Sequence, residues 1–146
     1  MEGQPVTPSL LPISASDGEL LQKFLEGAGT ATQSFRYFDK RPFTVLKQHV
    51  STFLLMVGEN KPVAYGHLDE EGGIVWLGIA VSEGEQGKGY GKVMMDALIE
   101  AGKENDLSAI RLSVDKDNPR AKTLYQKYGF SVVGEKPSLY FMEYQY

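Results

Sequence analysis

The sequence contains no cysteine among its 146 residues. This absence excludes disulfides, thiolate zinc sites, iron–sulfur clusters and a cysteine nucleophile. Basic residues are also in deficit: 15 lysines and arginines face 19 aspartates and glutamates, giving a formal net charge of −4. A nucleic-acid-binding domain usually has a basic excess or a basic stripe. We therefore expect no nucleic-acid partner.

Long apolar runs are missing as well. No stretch approaches the roughly 20 apolar residues that cross a bilayer. Residues 1–5 contain neither the basic segment nor the apolar core of a signal peptide. We expect a cytoplasmic protein with no membrane partner. The length and the 42% hydrophobic composition predict a single domain over residues 1–146.

The hydrophobic pattern changes period along the chain and predicts an α+β domain. Helical spacing begins after a capping box formed by Ser16 and Glu19, after Pro42, at Tyr90 and after Asn118. Residues 27–34 are small and polar and are expected to form a mobile connection. Strands are predicted at residues 10–13, 52–57, 63–68, 74–81, 109–114, 130–133 and 139–144. This order predicts a twisted, largely antiparallel sheet with one crossover around the helix that starts at Tyr90.

One glycine-rich segment carries a chemical signal. Residues 86–91 (Gln-Gly-Lys-Gly-Tyr-Gly) follow an apolar strand and open an amphipathic helix. Alternate glycines let a ligand approach the backbone, and the amides at a helix N-terminus attract anions. Lys88 and Lys92 add positive charge. The segment predicts a phosphate or pyrophosphate site; a helix start that only needs flexible residues is the alternative.

Two competing motifs fail. A P-loop requires serine or threonine after its Gly-Lys pair, whereas Gly89 stands there. The residues around Ser82 approach the nucleophile elbow of hydrolases, which needs a histidine further along the chain. His49 and His67, the two histidines, both precede Ser82.

Two signatures together resemble those of GCN5-related N-acetyltransferases. The family pattern Q/R-x-x-G-x-G/A is matched by Gln86, Gly89 and Gly91. The pattern N-x-x-A-x-x-x-Y-x-x-x-G-F is matched in full over residues 118–130. A glycine loop alone is a weak signal, but the pair at this separation is specific.

The resemblance implies a fold and a reaction. The fold would be a mixed, mostly antiparallel sheet of six to seven strands with about four helices, its central strands splayed for coenzyme A. The reaction would move an acetyl group from acetyl-coenzyme A to a primary amine of a small molecule, with no metal. Direct transfer in a ternary complex is expected, since the usual acyl-enzyme nucleophile, cysteine, is absent. The protein would be a monomer or homodimer.

The resemblance also implies roles for particular positions. Backbone amides in the glycine loop would hold the pyrophosphate, a strand edge would pair with the pantetheine amides, and Asn118 would bond the pantetheine arm. The implied coenzyme residues are Ile79, Ala80, Val81, Gln86, Gly87, Lys88, Gly89, Tyr90, Gly91, Lys92 and Asn118. Tyr125 would stand near the thioester sulfur as general acid, because a phenol with a pKa near 10 stays protonated at neutral pH.

The general base stays open at the level of sequence. Many family members carry a glutamate where this chain has Val75. His67, Asp69 and Glu70 are nearby titratable alternatives, and His67 has the most suitable ordinary pKa. The other route uses ordered water and backbone carbonyls, and it is the one we favour.

The acceptor is expected to meet residues 34–41, which are rich in aromatic and guanidinium groups. Arg36, Tyr37 and Arg41 suit a planar or anionic acceptor, such as an aminosugar attached to a nucleotide. Aromatics packed on the sheet with solvated charges are the structural alternative. The acidic residues 69–71 would attract a cationic amine or form a solvated hairpin turn, and we favour the turn.

Two other functions remain open. The acceptor could instead be the α-amino group of a protein, which needs an open groove. Alternatively, the chain could bind coenzyme A without catalysis and act as a sensor or interaction module. The presence of Tyr125 argues against this second function.

Overall fold

The computed structural model describes residues 7–146, which form a seven-stranded sheet flanked by four α-helices. Strands in the sheet follow the order β1-β2-β3-β4-β5-β7-β6. The strands are β1 Ser9–Pro12, β2 His49–Val57, β3 Lys61–Glu71, β4 Ile74–Val81, β5 Ala109–Asp115, β6 Ser131–Lys136 and β7 Leu139–Gln145. The helices are α1 Gly18–Gly27, α2 Ala31–Ser34, α3 Tyr90–Glu104 and α4 Pro119–Lys127. None of the described helices is long and apolar enough to cross a membrane.

The centre of the sheet contains its parallel pair. Strands β4 and β5 run parallel and are connected by α3, whereas the other neighbouring strands are antiparallel. Their registered pair joins Trp76 to Arg111, near the start of both strands. Beyond that point the strands border a cleft. The predicted α+β fold with splayed central strands is confirmed.

The two faces of the sheet bury different cores. On one face, α3 inserts Met94, Met95 and Leu98 against the sheet. On the other face, α1 inserts Leu21 and Phe24. Because side chains alternate along a strand, Leu68 of β3 joins the α3 core and Tyr65 joins the α1 core. The polar residues His67 and Asp69 of β3 share the α1 face with Tyr65.

The start of the first helix differs from the prediction. The capping box is formed by Ser14 and Asp17, not by Ser16 and Glu19. The Ser14 amide donates to Asp17 Oδ2 at 2.7 Å, and a 3-10 turn over Ala15–Asp17 precedes α1. The extended backbone of Ser14, with φ of −129°, suits a cap directly after β1. The serine-to-carboxylate spacing occurs twice in this stretch, and the earlier pair is used.

Three further segments differ locally. Within the connection predicted at 27–34, Ala31–Ser34 form the short helix α2. The element predicted after Pro42 is a 3-10 helix, Phe43–Gln48, and not an α-helix. Strand β3 continues to Glu71, so residues 69–71 are strand and the hairpin turn falls at residues 72–73. The N-cap at Asn118 is confirmed, since its side chain accepts from the Ala121 amide at 3.2 Å.

Candidate active site

A cleft of about 310 Å³ lies between the C-terminal halves of β4 and β5. It gathers side chains and backbone from five parts of the fold. Its walls are residues 77–81, residues 112–115, Ala31, Phe35, Gln86, Asn118, Ala121 and Tyr125. The predicted coenzyme positions 79–81, Gln86 and Asn118 therefore meet the predicted acid Tyr125 in one place. Phe35 lies within residues 34–41, the segment expected to meet the acceptor, whereas nothing in the local pattern of the sequence marks Ala31 as a cleft residue.

A second cleft, of about 370 Å³, opens at the opposite ends of the same two strands. It contains the ion pair between Arg111 and Glu143, whose Nε and Oε2 atoms are 2.6 Å apart. None of the residues implied to bind coenzyme lines it, whereas Glu70, one of the alternative bases, does. The residues expected to bind coenzyme that line a cleft therefore line the smaller one.

The glycine loop presents an open backbone at the start of α3. Gly89 is the N-cap of α3 with a left-handed φ of +84°, and no side chain caps the first turn. The first amides of a helix have no partner within the helix. A Cβ atom built on Gly87 or Gly89 meets no atom of the described protein within 4 Å. This exposed run of amides suits an anion, as the sequence predicted.

The positive charges around the loop are partly compensated. Lys88 Nζ lies 2.9 Å from Glu85 Oε2, and Lys61 Nζ lies 2.9 Å from the other carboxylate oxygen. The hydrogen bond between Lys88 and Glu85 raises the pKa of Lys88 above its ordinary value. Lys92 is exposed in the first turn of α3. The backbone amides are therefore the main feature of this loop that suits an anion, and the lysines supplement them.

Tyr125 has the protonation state expected of an acid. Its half-buried side chain lines the cleft, with its ring centroid 6.1 Å from that of Phe130. Burial raises the pKa of Tyr125 above its ordinary value, so the phenol keeps its proton at neutral pH. Nearby, Asn118 uses its Oδ1 as the α4 cap, which leaves its two N–H groups available to a ligand.

His67 is buried and held by a hydrogen bond. It is 2% exposed, and its Nδ1 lies 2.7 Å from the hydroxyl of Tyr65. Tyr65 is fully buried and has no other hydrogen-bond partner among residues 7–146. We assign the Tyr65 O–H as donor to Nδ1, because this gives the buried hydroxyl its hydrogen-bond acceptor, and the assignment puts the histidine proton on Nε2. Burial also lowers the pKa of His67 well below its ordinary value, so the ring is neutral.

The Nε2 atom of His67 lies over the cleft-lining backbone of β4. His67 is the β3 neighbour of Gly78, and a Cβ atom on Gly78 would overlap Nε2. In the tautomer assigned above, this atom carries a hydrogen and acts as a donor. An imidazole in that state cannot accept a proton at Nε2.

Tyr37 closes a chain of hydrogen bonds on the same face of the sheet. Its hydroxyl donates to Asp69 Oδ2 at 2.7 Å and lies 2.8 Å from His49 Nε2. His49 Nδ1 lies 2.7 Å from the Thr52 hydroxyl. Burial and the Asp69 hydrogen bond raise the pKa of Tyr37 well above its ordinary value. The Tyr37 hydroxyl thus makes its hydrogen bonds within the protein.

The two arginines predicted for the acceptor have partners within the protein. Arg36 Nε lies 2.8 Å from Asp39 Oδ2. Arg41 lies 4.3 Å above the Tyr37 ring, donates to the Tyr37 carbonyl at 3.0 Å and approaches Glu71 at 3.4 Å. None of Arg36, Tyr37 and Arg41 lines the cleft.

A sheet that opens beside a glycine loop with no side-chain cap is the arrangement that the resemblance to N-acetyltransferases implied, and comparison with known proteins identifies the family. The model of the acetyltransferase (GNAT) family matches residues 19–130. The protein belongs to this family, and the resemblance found in the sequence is confirmed.

Individual relatives agree with this assignment. A spermine/spermidine N(1)-acetyltransferase of Bacillus subtilis is 42% identical over 69 residues, which are 46% of this chain and 45% of that protein. The match thus spans less than half of the relative's length.

Solved structures share the fold over almost the whole chain. The PaiA N-acetyltransferase of Thermoplasma acidophilum, in complex with coenzyme A, superposes with a TM-score of 0.74 at 16% identity over 96% of this chain and 99% of that one. Mutant forms of the spermidine/spermine N-acetyltransferase SpeG of Vibrio cholerae superpose with a TM-score of 0.69 at 17% identity, covering 95% of each chain.

The state of the two histidines predicts how stability responds to mild acid. Burial lowers the pKa of both His49 and His67, so the unfolded chain binds these protons at a higher pH than the folded protein does. The free energy of unfolding should therefore fall as pH drops through the ordinary histidine pKa of about 6.5. The slope is at most about 1.4 kcal/mol per pH unit for His67, and smaller for half-buried His49. Urea denaturation between about pH 7.5 and about pH 5.5 measures it.

The variant His67→Gln provides the control. Glutamine does not titrate, so the stability of this variant should depend less steeply on pH, whatever its stability at neutral pH. Parallel pH profiles for the two proteins would contradict the assignment of the slope to His67.

Proposed function

We propose that the protein transfers the acetyl group of acetyl-coenzyme A directly to a primary amine of a small cationic molecule. The observation that carries the proposal is the cleft between β4 and β5, where Gln86 of the loop before α3 meets Asn118, the N-cap of α4, and Tyr125 within α4. Membership of the GNAT family supports acetyl transfer. The choice of a cationic acceptor rests on the charges described below.

Backbone groups would hold most of the coenzyme. The amides of residues 87–92 suit its pyrophosphate, because they lie at a helix N-terminus without a side-chain cap. The stretch of β4 at residues 79–81 borders the cleft, where a pantetheine chain would add itself like a strand. The N–H groups of Asn118 are positioned to bond the same chain.

Tyr125 would complete the transfer as general acid. The amine nitrogen forms a bond to the acetyl carbon, and the bond from that carbon to sulfur breaks. The departing thiolate takes the phenolic proton of Tyr125, and the amine gives up its own proton to a base. Burial keeps Tyr125 protonated until the thiolate forms.

The base is best supplied by ordered water. The hydrogen-bond pattern places a proton on His67 Nε2, the ring atom that lies over β4. His67 in that form donates a hydrogen bond and does not accept the proton of the amine. Asp69 is engaged by Tyr37 and is 1% exposed. Water that contacts backbone carbonyls at the mouth of the cleft therefore remains as the proton acceptor.

The charges around residues 34–41 favour a cationic acceptor over an anionic one. Arg36 and Arg41 already contact Asp39 and Glu71, and these two carboxylates would repel an anionic acceptor that approached the arginines. The net charge of −4 favours cations over the whole surface. Two of the similar proteins are named for spermine and spermidine, which are cationic polyamines.

A panel of amines tests the acceptor. Thiol release from acetyl-coenzyme A should be fastest with spermidine or spermine, slower with a phosphorylated aminosugar and slowest with a peptide that has a free N-terminus. The double variant Arg36→Ala/Arg41→Ala should leave the Michaelis constant for spermidine within about twofold of the parent, because these guanidinium groups are paired internally.

Other results of the panel would select the other functions. Preference for the phosphorylated aminosugar, with its Michaelis constant raised in the arginine variant, would support the anionic acceptor. Preference for the peptide would indicate a protein acceptor. Binding of coenzyme A without transfer to any amine would indicate a binding module.

Substitution of Gly89 tests the coenzyme site. In Gly89→Val a branched side chain would extend into the open space beside the amides, and its φ of +84° would become strained. We expect calorimetry to show loss of most of the affinity for coenzyme A. Gly58→Val is the matched control, since Gly58 has a φ of +73° and equally open surroundings in the turn between β2 and β3. Similar coenzyme affinities in the two variants would place the coenzyme elsewhere.

Substitution of Tyr125 tests the acid. Tyr125→Phe keeps the ring and its packing, so stability and coenzyme affinity should barely change, whereas turnover should fall by about 10²–10⁴-fold. Tyr128→Phe is the matched control, because Tyr128 lies one turn further along the chain and its buried hydroxyl has no partner among the described residues. Steady-state kinetics should show normal turnover in the control. Turnover within twofold of the parent in Tyr125→Phe would reduce Tyr125 to a packing residue.

A further inference from the structure

Glu83, in the loop that follows β4, hydrogen-bonds to the segment that leads into the opposite wall of the cleft. Its amide donates to the Ala28 carbonyl at 2.9 Å. Its carboxylate Oε2 accepts from the Thr30 amide at 3.0 Å. Both contacts join distant parts of the chain. Thr30 and Glu83, for example, are separated by 53 positions.

The shape of the chain around Gly29 fits this contact closely. Gly29 has a left-handed φ of +63°, and a Cβ atom there would overlap Oε2 of Glu83. Thr30 directly precedes α2, which carries Ala31 into the wall of the cleft, and Phe35 follows α2 in the same wall. The position of this wall therefore depends on Glu83 in two ways: its amide holds Ala28, and its carboxylate holds Thr30.

The same loop leads directly into the proposed coenzyme site. Ser82 fixes its start, because the Ser82 amide donates to the Val63 carbonyl at 3.0 Å. Gln86, which lines the cleft, follows Glu83 by three residues. Anything that immobilises residues 86–91 therefore restricts the position of Glu83 as well.

We infer that Glu83 is a positioning residue that couples coenzyme binding to the order of the acceptor wall. The inference rests on the coenzyme site of the proposed function. When the glycine loop closes on the pyrophosphate, Glu83 holds Thr30 and the turn of α2, and Phe35 stays in place at the cleft. Phe35 also packs against Tyr65, with ring centroids 5.2 Å apart, so the ordered wall continues to the face that carries His67.

This coupling changes the affinity of the protein for both ligands. The acceptor should bind better after the coenzyme, because the coenzyme has already ordered the wall that the acceptor meets. By linkage, the acceptor tightens coenzyme binding by the same factor. Glu83 itself touches neither reacting group.

Hydrogen exchange with coenzyme A alone tests the coupling without any acceptor. In the parent protein, coenzyme A should slow amide exchange in residues 86–91 and in residues 28–35. In Glu83→Ala, the protection of 86–91 and the coenzyme affinity should persist, to within about threefold, while the added protection of 28–35 is lost. Glu83→Gln retains an oxygen that accepts from Thr30 and should restore that protection.

Kinetics with spermidine provides the second readout. Glu83→Ala should raise the Michaelis constant for spermidine by about fivefold or more. Because the coupling is reciprocal, the constant for acetyl-coenzyme A at saturating spermidine should rise by a similar factor, while the affinity for coenzyme A alone is retained. Gly29→Ala should reproduce the effect from the other side of the contact, because its Cβ displaces the carboxylate. Glu59→Ala, which removes an exposed carboxylate from the turn between β2 and β3, is the matched control and should behave as the parent.

The possible failures are distinguishable. If the parent does not bind coenzyme A, both the proposed function and the coupling are overturned. If coenzyme A protects 28–35 equally in the parent and in Glu83→Ala, the coupling alone is overturned. Loss of coenzyme binding in Glu83→Ala would also overturn it, since Glu83 would then only support the fold of the loop.

Discussion

The separation of β4 from β5 is the constraint on which the site depends. Parallel strands cannot be joined by a tight turn, so α3 must cross over between them. The two strands meet at Trp76 and Arg111 and then border an open cleft. Backbone groups along such an edge need partners, and an extended ligand chain can provide them. The same crossover places the uncapped start of α3 beside that edge, so one feature creates both halves of an elongated site.

The polar face of β3 determines which chemistry is available beside the cleft. The Nδ1 atom of His67 is hydrogen-bonded to the Tyr65 hydroxyl, and Oδ2 of Asp69 is hydrogen-bonded to the Tyr37 hydroxyl. These bonds satisfy His67 Nδ1 and Asp69 Oδ2, which would be costly to bury unpaired, whereas Asp69 Oδ1 is buried without a hydrogen-bond partner among the described residues. In the proposed reaction, this buried network would leave deprotonation of the amine to solvent. Tyr125, whose hydroxyl has no hydrogen-bond partner among the described residues, would act as the acid.

The structural features that depend only on neighbouring residues were predicted from local signals in the sequence. The cap at Asn118, the helix at Tyr90 and the glycine loop needed only short-range spacing. Competing local signals misled the prediction where two alternatives lay close together, as with Ser14 and Ser16. Contacts across the fold were beyond reach: the bond from Glu83 to Thr30 spans 53 positions. The pairing of Arg41 with Glu71 likewise depends on how β3 packs beside the 3-10 helices.

The two walls of the cleft are stabilised in different ways. This difference matches the two ligands that they would recognise, the coenzyme and the acceptor amine. The coenzyme wall is part of the sheet, fixed by β3 on one side and by the core under α3. The acceptor wall is a four-residue helix joined to the loop through Glu83. A rigid wall suits a ligand recognised through its backbone-like chain and pyrophosphate. The acceptor wall instead combines the bonds to Glu83 with the packing of Ala31 and Phe35 on the core of the α1 face, so it can move without disturbing the sheet, and we expect residues 28–35 to contribute to the choice of amine.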